Sequence, residues 1–393
     1  MDRAPTYTAS DVPLLGTSPP TRHPVAKTVK HAAPSATRSP KPTFLEFFAG
    51  SGLVAEGLRP YFGVAWANDI CSKKADVYTA NHRKKNFHLG SIADVSGQDV
   101  PNAALSWASF PCQDLSLAGL NGGIHAERSG LVWQWLRIMD EMPQRPALLV
   151  AENVTGLLSA VGGRHYRTLH AALRDRGYIV GALVLDAVHW VPQSRPRVFV
   201  VAVKEDAPIP PDLIATAPNW MHPAYLVNAA KGLDGFVFWR MPAPAERKTT
   251  LADLIEWNAP TDDAPATKRK LSLIPETHRA KLKQHAVIVA PGYKRTRKAG
   301  QVLELRFDGV AGCLRTAEGG SSRQVVVLKN GKRYATRLLT VRETARLMGA
   351  PDTYKIPGSY TDAYTAMGDA VAMPVARYLA KHLLAPLGKA LHV

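Results

Sequence analysis

From Thr43 onward, short apolar runs alternate with longer stretches whose apolar residues recur at helical spacing. The strand-like runs are Thr43–Phe48, Val64–Asn68, Leu105–Phe110, Ala147–Ala151, Ile179–Leu185 and Arg197–Val203. Between them, Ser51–Tyr61, Ser72–His82, Gly130–Met142 and Arg164–Gly177 carry the spacing of helices. Strands of about five residues separated by helices of about ten or more are the signature of βαβ units. The pattern predicts an α/β fold with a doubly wound, mostly parallel, Rossmann-like sheet. In such sheets ligands sit beyond the carboxyl ends of the strands.

After Val203 the alternation stops. Residues 204–335 mix Pro-rich stretches with short strand-like runs such as Val302–Phe307 and Gln324–Leu328, and Asn330-Gly331 reads as a hairpin turn. Helical order returns at Thr340, where Thr340-Val-Arg-Glu343 fits a capping box, Gly349 a C-cap and Pro351 a stop. A last amphipathic helix is predicted over Val371–Leu384. The chain thus divides into a tail (1–42), a core domain (43–206), a second, smaller, mainly β or irregular domain (207–339) and a segment returning to the core (340–393). With eight prolines and ten Ser or Thr, the tail reads as flexible and basic. An organelle transit peptide shares that composition, but the prolines spoil its amphipathic helix.

Composition narrows the class. Hydrophobic residues make up 46% and charged residues 21%, enough for a sizeable core. No apolar run approaches the roughly 18–20 residues of a membrane span, and no signal-peptide core is visible. Cys71, Cys112 and Cys313 form no CxxC pair and, being odd in number, no complete disulfide framework, which points to a reducing, cytoplasmic setting. The net charge of +17 favours a polyanionic partner, most often nucleic acid. Residues 43–203 are nearly neutral, with 15 basic and 13 acidic side chains, and suit a small-molecule site. Residues 264–300 carry ten basic side chains against the single acid Glu276. That run is either a solvated loop or a face for DNA.

The first strand runs into Phe48-Ala49-Gly50-Ser51-Gly52, a glycine loop before a helix, and the second ends in Asp69. The loop lets a ligand approach the backbone and the carboxylate can hold a ribose diol. This fits a nicotinamide dinucleotide as well as S-adenosylmethionine. Two further strand ends decide between them. One gives Pro111-Cys112-Gln113, a nucleophile, and another gives Glu152-Asn153, an acid. Gln193-Ser-Arg195-Pro-Arg197 then opens the next strand with two guanidiniums.

These blocks, in this order, resemble the C5-cytosine DNA methyltransferases of the bacterial and phage restriction–modification type. The resemblance covers about 43–203 and 313–393 and rests on Phe48–Gly52, Ser109–Gln113, Glu152–Val154, Gln193–Arg197, Arg337–Tyr354 and Met367–Val371. It implies a DNA (cytosine-5)-methyltransferase acting on a flipped-out cytosine in duplex DNA through a covalent bond from Cys112 to C6. Glu152 would supply a proton to N3, Asn153 would brace the loop, and Arg195 and Arg197 would hold the cytosine O2 and nearby backbone. S-adenosylmethionine would meet Phe48, Ala49, Gly50, Ser51 and Gly52 at the loop, Asp69 at the ribose and Ile70 at the adenine. Ser91, Ile92, Pro111, Leu131, Asp369 and Ala370 would complete its pocket. DNA would be met by Gln113, Ser116, Lys268, Arg269, Lys270, Arg295, Arg297, Arg315 and Arg323, with the second domain selecting the target. No metal is expected.

Two positions depart from the family pattern. Ser91 stands where an acid is usual and Asp369 where Asn is usual, which adds a negative charge near the sulfonium. The expected protein is a monomer that works with duplex DNA and, as in restriction–modification pairs, a cognate endonuclease. The rivals are an RNA cytosine-5 methyltransferase of the same superfamily, a silent DNA-binding homologue and, more distantly, a nicotinamide dehydrogenase. Cys112, Glu152, Arg195 and Arg197 together argue against a silent homologue.

Overall fold

The computed structural model describes residues 41–111, 130–298, 300–314 and 323–391. The tail up to residue 40, Cys112, Gln113, Ser116 and Arg315 lie outside the described residues. Seven strands form the main sheet: β1 (Thr43–Phe47), β2 (Gly63–Asp69), β3 (Phe87–Leu89), β4 (Leu105–Ala108), β5 (Leu148–Val154), β6 (Tyr178–Asp186) and β7 (Pro196–Lys204). Their spatial order is β3-β2-β1-β4-β5-β7-β6. Adjacent residues along a strand enter opposite layers, as the two-residue period requires. Phe44, Leu105, Leu148 and Val201 pack on one face, and Leu45, Phe47, Leu149 and Val200 on the other. Both faces are covered, so these strands read as continuous apolar runs. Each fully buried Leu or Phe contributes about 1.5–3 kcal/mol.

The parallel expectation holds for every neighbouring pair except those made by β7, which runs against both β5 and β6. β6 and β7 form a hairpin rather than a βαβ unit. This reversal places the start of β7 at the carboxyl edge of the sheet, and Arg197 pairs in register with Val154 at the end of β5. Helices α1 (Leu53–Leu58), α2 (Ser72–Asn81) and α3 (Leu131–Glu141) fall where helical spacing predicts them, α1 and α3 shorter at both ends and α2 by one residue at its C-terminal end. The three-residue β3, partly exposed, carries too little apolar pattern to be read from sequence.

After β7 come a small antiparallel pair, β8 (Ile214–Ala215) and β9 (Phe238–Trp239), and a four-stranded antiparallel sheet. That sheet holds β10 (Val287–Arg297), β11 (Gly300–Leu305), β12 (Val325–Asn330) and β13 (Arg333–Leu338), in the order β11-β10-β12-β13. Ile288, Ala290, Leu303 and Val327 on its outer face pack under the helices Ala264–Ser272 and Glu276–Gln284 with Ile274 and Leu282. Val289, Val326 and Leu328 on its inner face join the core of the main sheet. The basic run 264–300 is therefore two helices and half a hairpin. Asn330 closes the β12–β13 turn opposite Arg333, one position before the expected centre, leaving Gly331 and Lys332 as the loop.

The capping box at Thr340 and Glu343 forms as the sequence indicates. The helix Met373–Leu379 then returns to α1, and a Cβ at Gly57 would lie 2.8 Å from the Met373 carbonyl and 2.9 Å from Ala376 Cβ. Only glycine permits that approach. It fixes Gly368–Val371, the segment just before this helix, over the carboxyl edge of the sheet.

Candidate active site

A cavity of about 480 Å³ opens at that edge. It is lined by the glycine loop, the end of β2, Ser91 and Ile92, Ser109 to Pro111, Leu131, the end of β5, Arg195, Arg197 and the strap Gly368–Val371. The strand ends and loops read from sequence as chemically interesting thus converge on one space, as expected of an α/β sheet.

The loop is built around Asp69. One carboxylate oxygen accepts from the Gly50 N–H and the other from the Cys71 N–H, both at 2.8 Å. Phe48 holds a left-handed backbone (φ 57°), a conformation costing about 1–3 kcal/mol in a bulky residue. The following N–H of Ala49 secures it by donating to the Asn68 carbonyl at 2.8 Å. Gly52 does not line the cavity. Its absent side chain makes room for His82, whose ring would lie 2.7 Å from a Cβ there. Ser51 is fully buried behind the loop, and its carbonyl accepts from Tyr354 Oη. Of the five loop residues expected at a cofactor, Phe48, Ala49 and Gly50 face the space.

Ile70 lies on the wall with 72% of its surface exposed, beside the apolar Ile92, Pro111 and Leu131. An exposed isoleucine at a concave rim is suited to cover a flat, apolar group. Together with the Asp69 carboxylate and the glycine loop, the lining fits an adenosine-bearing ligand. Ser91 lines the same wall, its hydroxyl turned to the Ala93 N–H at 3.2 Å.

At the other end stand Glu152 and Arg197. Arg197 Nε lies 3.3 Å from Glu152 Oε1. Burial pushes the Glu152 carboxyl above its ordinary value, while Arg197, Arg195 and the Ser109 hydroxyl pull against it. Asn153 donates from Nδ2 to the Phe110 carbonyl at 2.9 Å and accepts from the Val154 N–H at 2.9 Å. It ties the end of β5 to the segment entering Pro111, the residue before Cys112.

Arg195 is turned elsewhere. Its guanidinium donates to the carbonyls of Gly368 (2.8 Å), Ala370 (2.7 Å) and Leu314 (3.4 Å), and to Cys313 Sγ (3.1 Å). It is 2% exposed and clips the strap and the 313–314 segment to the sheet edge. Cys313 also lies 3.8 Å from Arg197 Nη2. Burial alone would raise this thiol, but the two guanidiniums outweigh it and lower its pKa.

Sequence reasoning missed Lys74, which lines the cavity from α2 and meets Asp369 at 2.7 Å. Nothing in the spacing marks it, because its partner lies nearly three hundred residues away in the chain. Ser109 opens one of the blocks read from sequence but was given no role there, and it bonds the Glu152 carboxylate.

Arg295 and Arg297 share the inner face of the small sheet with Glu304, at 3.0 Å and 2.5 Å. Arg295, Glu304, Tyr293, Arg306, Ser194 and Cys313 line a second cavity of about 380 Å³. Lys268, Arg269 and Lys270 lie instead on the helix Ala264–Ser272 over the outer face, where Lys270 pairs with Asp262. The expected DNA contacts are therefore split between two faces. Arg323 stands apart from both, donating to Thr361 Oγ1 at 2.7 Å beside the Tyr360 ring. Among the described residues no group of His, Cys, Asp or Glu is placed to hold a metal, and no helix is long and apolar enough to cross a membrane.

Comparison with known proteins agrees with this geometry. The family model for C-5 cytosine-specific DNA methylases matches residues 42–385. Type II methyltransferase M.HhaI of Haemophilus parahaemolyticus is 25% identical over 347 residues, spanning 86% of this chain and 93% of that protein. Type II methyltransferase M.BsuFI of Bacillus subtilis is 26% identical over 345 residues, spanning 87% and 72%. Among solved structures, the S. pombe Dnmt2 methyltransferase superposes with a TM-score of 0.58 at 18% identity, covering 88% of this chain and 99% of that one. The Entamoeba histolytica methyltransferase EhMeth also gives 0.58, at 14% identity over 87% and 97%. At such identities the two structures speak for the fold alone.

Proposed function

Because the chain belongs to the C-5 cytosine-specific DNA methylase family and is a DNA cytosine methyltransferase, we propose that Cys112 attacks C6 of a flipped-out cytosine in duplex DNA. The observation that carries this reading is the meeting, in one cavity, of a buried Glu152 paired to Arg197, the glycine loop on Asp69, and Pro111 leading to Cys112. Cytosine C5 is a weak nucleophile until something adds at C6, and a thiolate is the protein group best able to do so near neutral pH. Proton delivery to N3 favours the addition. Glu152 suits that task because burial keeps it protonated to higher pH than an ordinary carboxyl.

Arg197 would hold O2, and Asn153 would fix the loop through the Phe110 carbonyl. Arg195 acts on the protein's own carbonyls and positions the strap. Phe48, Gly50, Asp69, Ile70, Ile92 and Leu131 would hold S-adenosylmethionine, which would supply an electrophilic methyl group for C5. Loss of the C5 proton and expulsion of Cys112 complete the cycle. The inner face of the small sheet, with Arg295 and Arg297, is the region we assign to target recognition within 207–339. The Type II relatives support a place in restriction–modification, and we further propose a cognate endonuclease as partner, a monomeric enzyme and a cytoplasmic location.

Expression in a methylation-free host, followed by bisulfite sequencing, tests the activity and reads the target site. Unmodified DNA from a folded protein, with methyl transfer to RNA instead, would favour the RNA branch. The covalent step is tested with duplex DNA carrying 5-fluorocytosine at the target. Fluorine cannot leave C5 as a cation, so an adduct should persist through denaturing electrophoresis, require S-adenosylmethionine and map to Cys112. Glu152→Gln should slow its formation strongly. Cys71→Ser and Cys313→Ser should still form it, and trapping through either of those thiols would overturn the assignment.

A further inference from the structure

The cavity has two differently charged ends. Glu152 faces Arg197 at one, while Asp69, Lys74 and Asp369 gather at the other, and Arg195 lies between them, coupled to both Glu152 and Asp369. At this second end Asp69 already receives two backbone N–H groups. Asp369 is held differently. It closes the helix Tyr360–Asp369, and the carbonyls on either side of it, Gly368 and Ala370, are both gripped by Arg195. Its carboxylate keeps 40% of its surface exposed at the cavity wall while meeting Lys74 Nζ at 2.7 Å. The backbone clip prevents the carboxylate from retreating. Burial of Lys74 would favour the neutral amine, but Asp369, helped by Asp69, outweighs it and keeps the ammonium charged. Two carboxylates therefore share the Lys74 ammonium, and the Arg195 guanidinium, engaged on the strap carbonyls, is the further positive charge felt by Asp369.

We propose that the Lys74–Asp369 pair makes this cavity select its ligand by charge, favouring a sulfonium methyl donor over the neutral thioether left after transfer. The inference rests on the reading that the cavity takes S-adenosylmethionine. In this scheme Asp369 attracts the sulfonium and Lys74 limits that attraction, so that donor binding is not made too tight for turnover. Discharged cofactor, lacking the positive sulfur, loses that attraction to Asp369 and leaves more readily. Asp369 and Lys74 are thus positioning and specificity residues for the methyl-donor step.

Titration calorimetry with S-adenosylmethionine and, separately, S-adenosylhomocysteine gives the ratio of the two affinities for the intact protein, without relying on activity. Asp369→Asn should shift that ratio about threefold to tenfold toward the thioether at low ionic strength, the shift shrinking as salt screens the charges. Lys74→Met should shift it the opposite way, and Lys74→Arg should leave it near the wild-type value. Thermal unfolding checks that each variant is folded. If both substitutions weaken the two ligands equally, the pair merely holds the strap and charge selection is wrong. A ratio moved in the same direction by both would refute it as well. Failure of either ligand to bind the wild-type protein would instead sink the cofactor reading itself.

Discussion

Glu46 offers a quantitative test of the core beneath the glycine loop. It lies on β1 two residues before Phe48 and is 1% exposed. Tyr78 Oη donates to Oε2 at 3.4 Å, and Oε1 has no hydrogen-bond partner among the described residues. Burial, with a smaller push from Asp69, raises its pKa from 4.5 to about 8 against the pull of the Ala55 N–H and Tyr78. The unfolded chain ionises this carboxyl near 4.5, whereas the folded chain holds the proton to about 8. The stability it contributes is therefore complete below pH 4.5 and is lost as pH rises through 8. At about 1.36 kcal/mol per pH unit, the interval from 4.5 to about 8 amounts to ~5 kcal/mol. Glu46→Gln, neutral at every pH, should remove this slope. Urea unfolding of both proteins at intervals between about pH 5 and pH 9 should show the wild type losing about 3–5 kcal/mol more than the variant. His82 works in the opposite sense, since burial lowers it from 6.5 to about 4 and its contribution is lost as pH falls across that range. It is present in both proteins and cancels in the comparison. Parallel stability curves would show that Glu46 is ionised in the folded protein and that the reasoning is wrong.

Arg195→Lys should lower stability by about 3–5 kcal/mol, because one ammonium cannot serve the Gly368, Ala370 and Leu314 carbonyls together. A calorimetric melt unchanged from wild type would remove its role as a clip. Arg295→Gln combined with Arg297→Gln should flatten the slope of log K against log salt for duplex DNA by about 1–2, at roughly 0.9 per phosphate contact. Replacing Lys268, Arg269 and Lys270 together by Gln should change that slope less, and the reverse ranking would place the DNA on the outer face of the small sheet.

The main sheet was legible because its strands are buried on both faces and its helices carry clear apolar spacing. Six of its seven strands stand within a few residues of their predicted positions, and Phe87–Leu89 escaped because three partly exposed residues hold no periodicity. The reversal of β7 was not legible. An apolar run such as Val198–Val203 looks the same in either direction, and only the short connection after Asp186 limits β6 and β7 to a hairpin. In the site, the residues at strand ends were readable because α/β sheets place ligands there. Lys74 was not, since its function depends on a partner brought from Asp369 by the returning C-terminal segment. The division of the basic run between two faces was not legible for a related reason. Charge counts register how many lysines and arginines a segment holds, whereas the pleat of β10 decides that Arg295 and Arg297 face inward while Lys268 to Lys270 ride on a covering helix.

The grip of Arg195 on Gly368 and Ala370 also has a consequence for biosynthesis. On the ribosome, β1 to β7 emerge long before the strap that closes the cavity, and that strap is seated only when Met373–Leu379 can dock on Gly57. A chain ending before the strap therefore lacks one wall of the cavity and leaves Arg195 only Cys313 and the Leu314 carbonyl to hold.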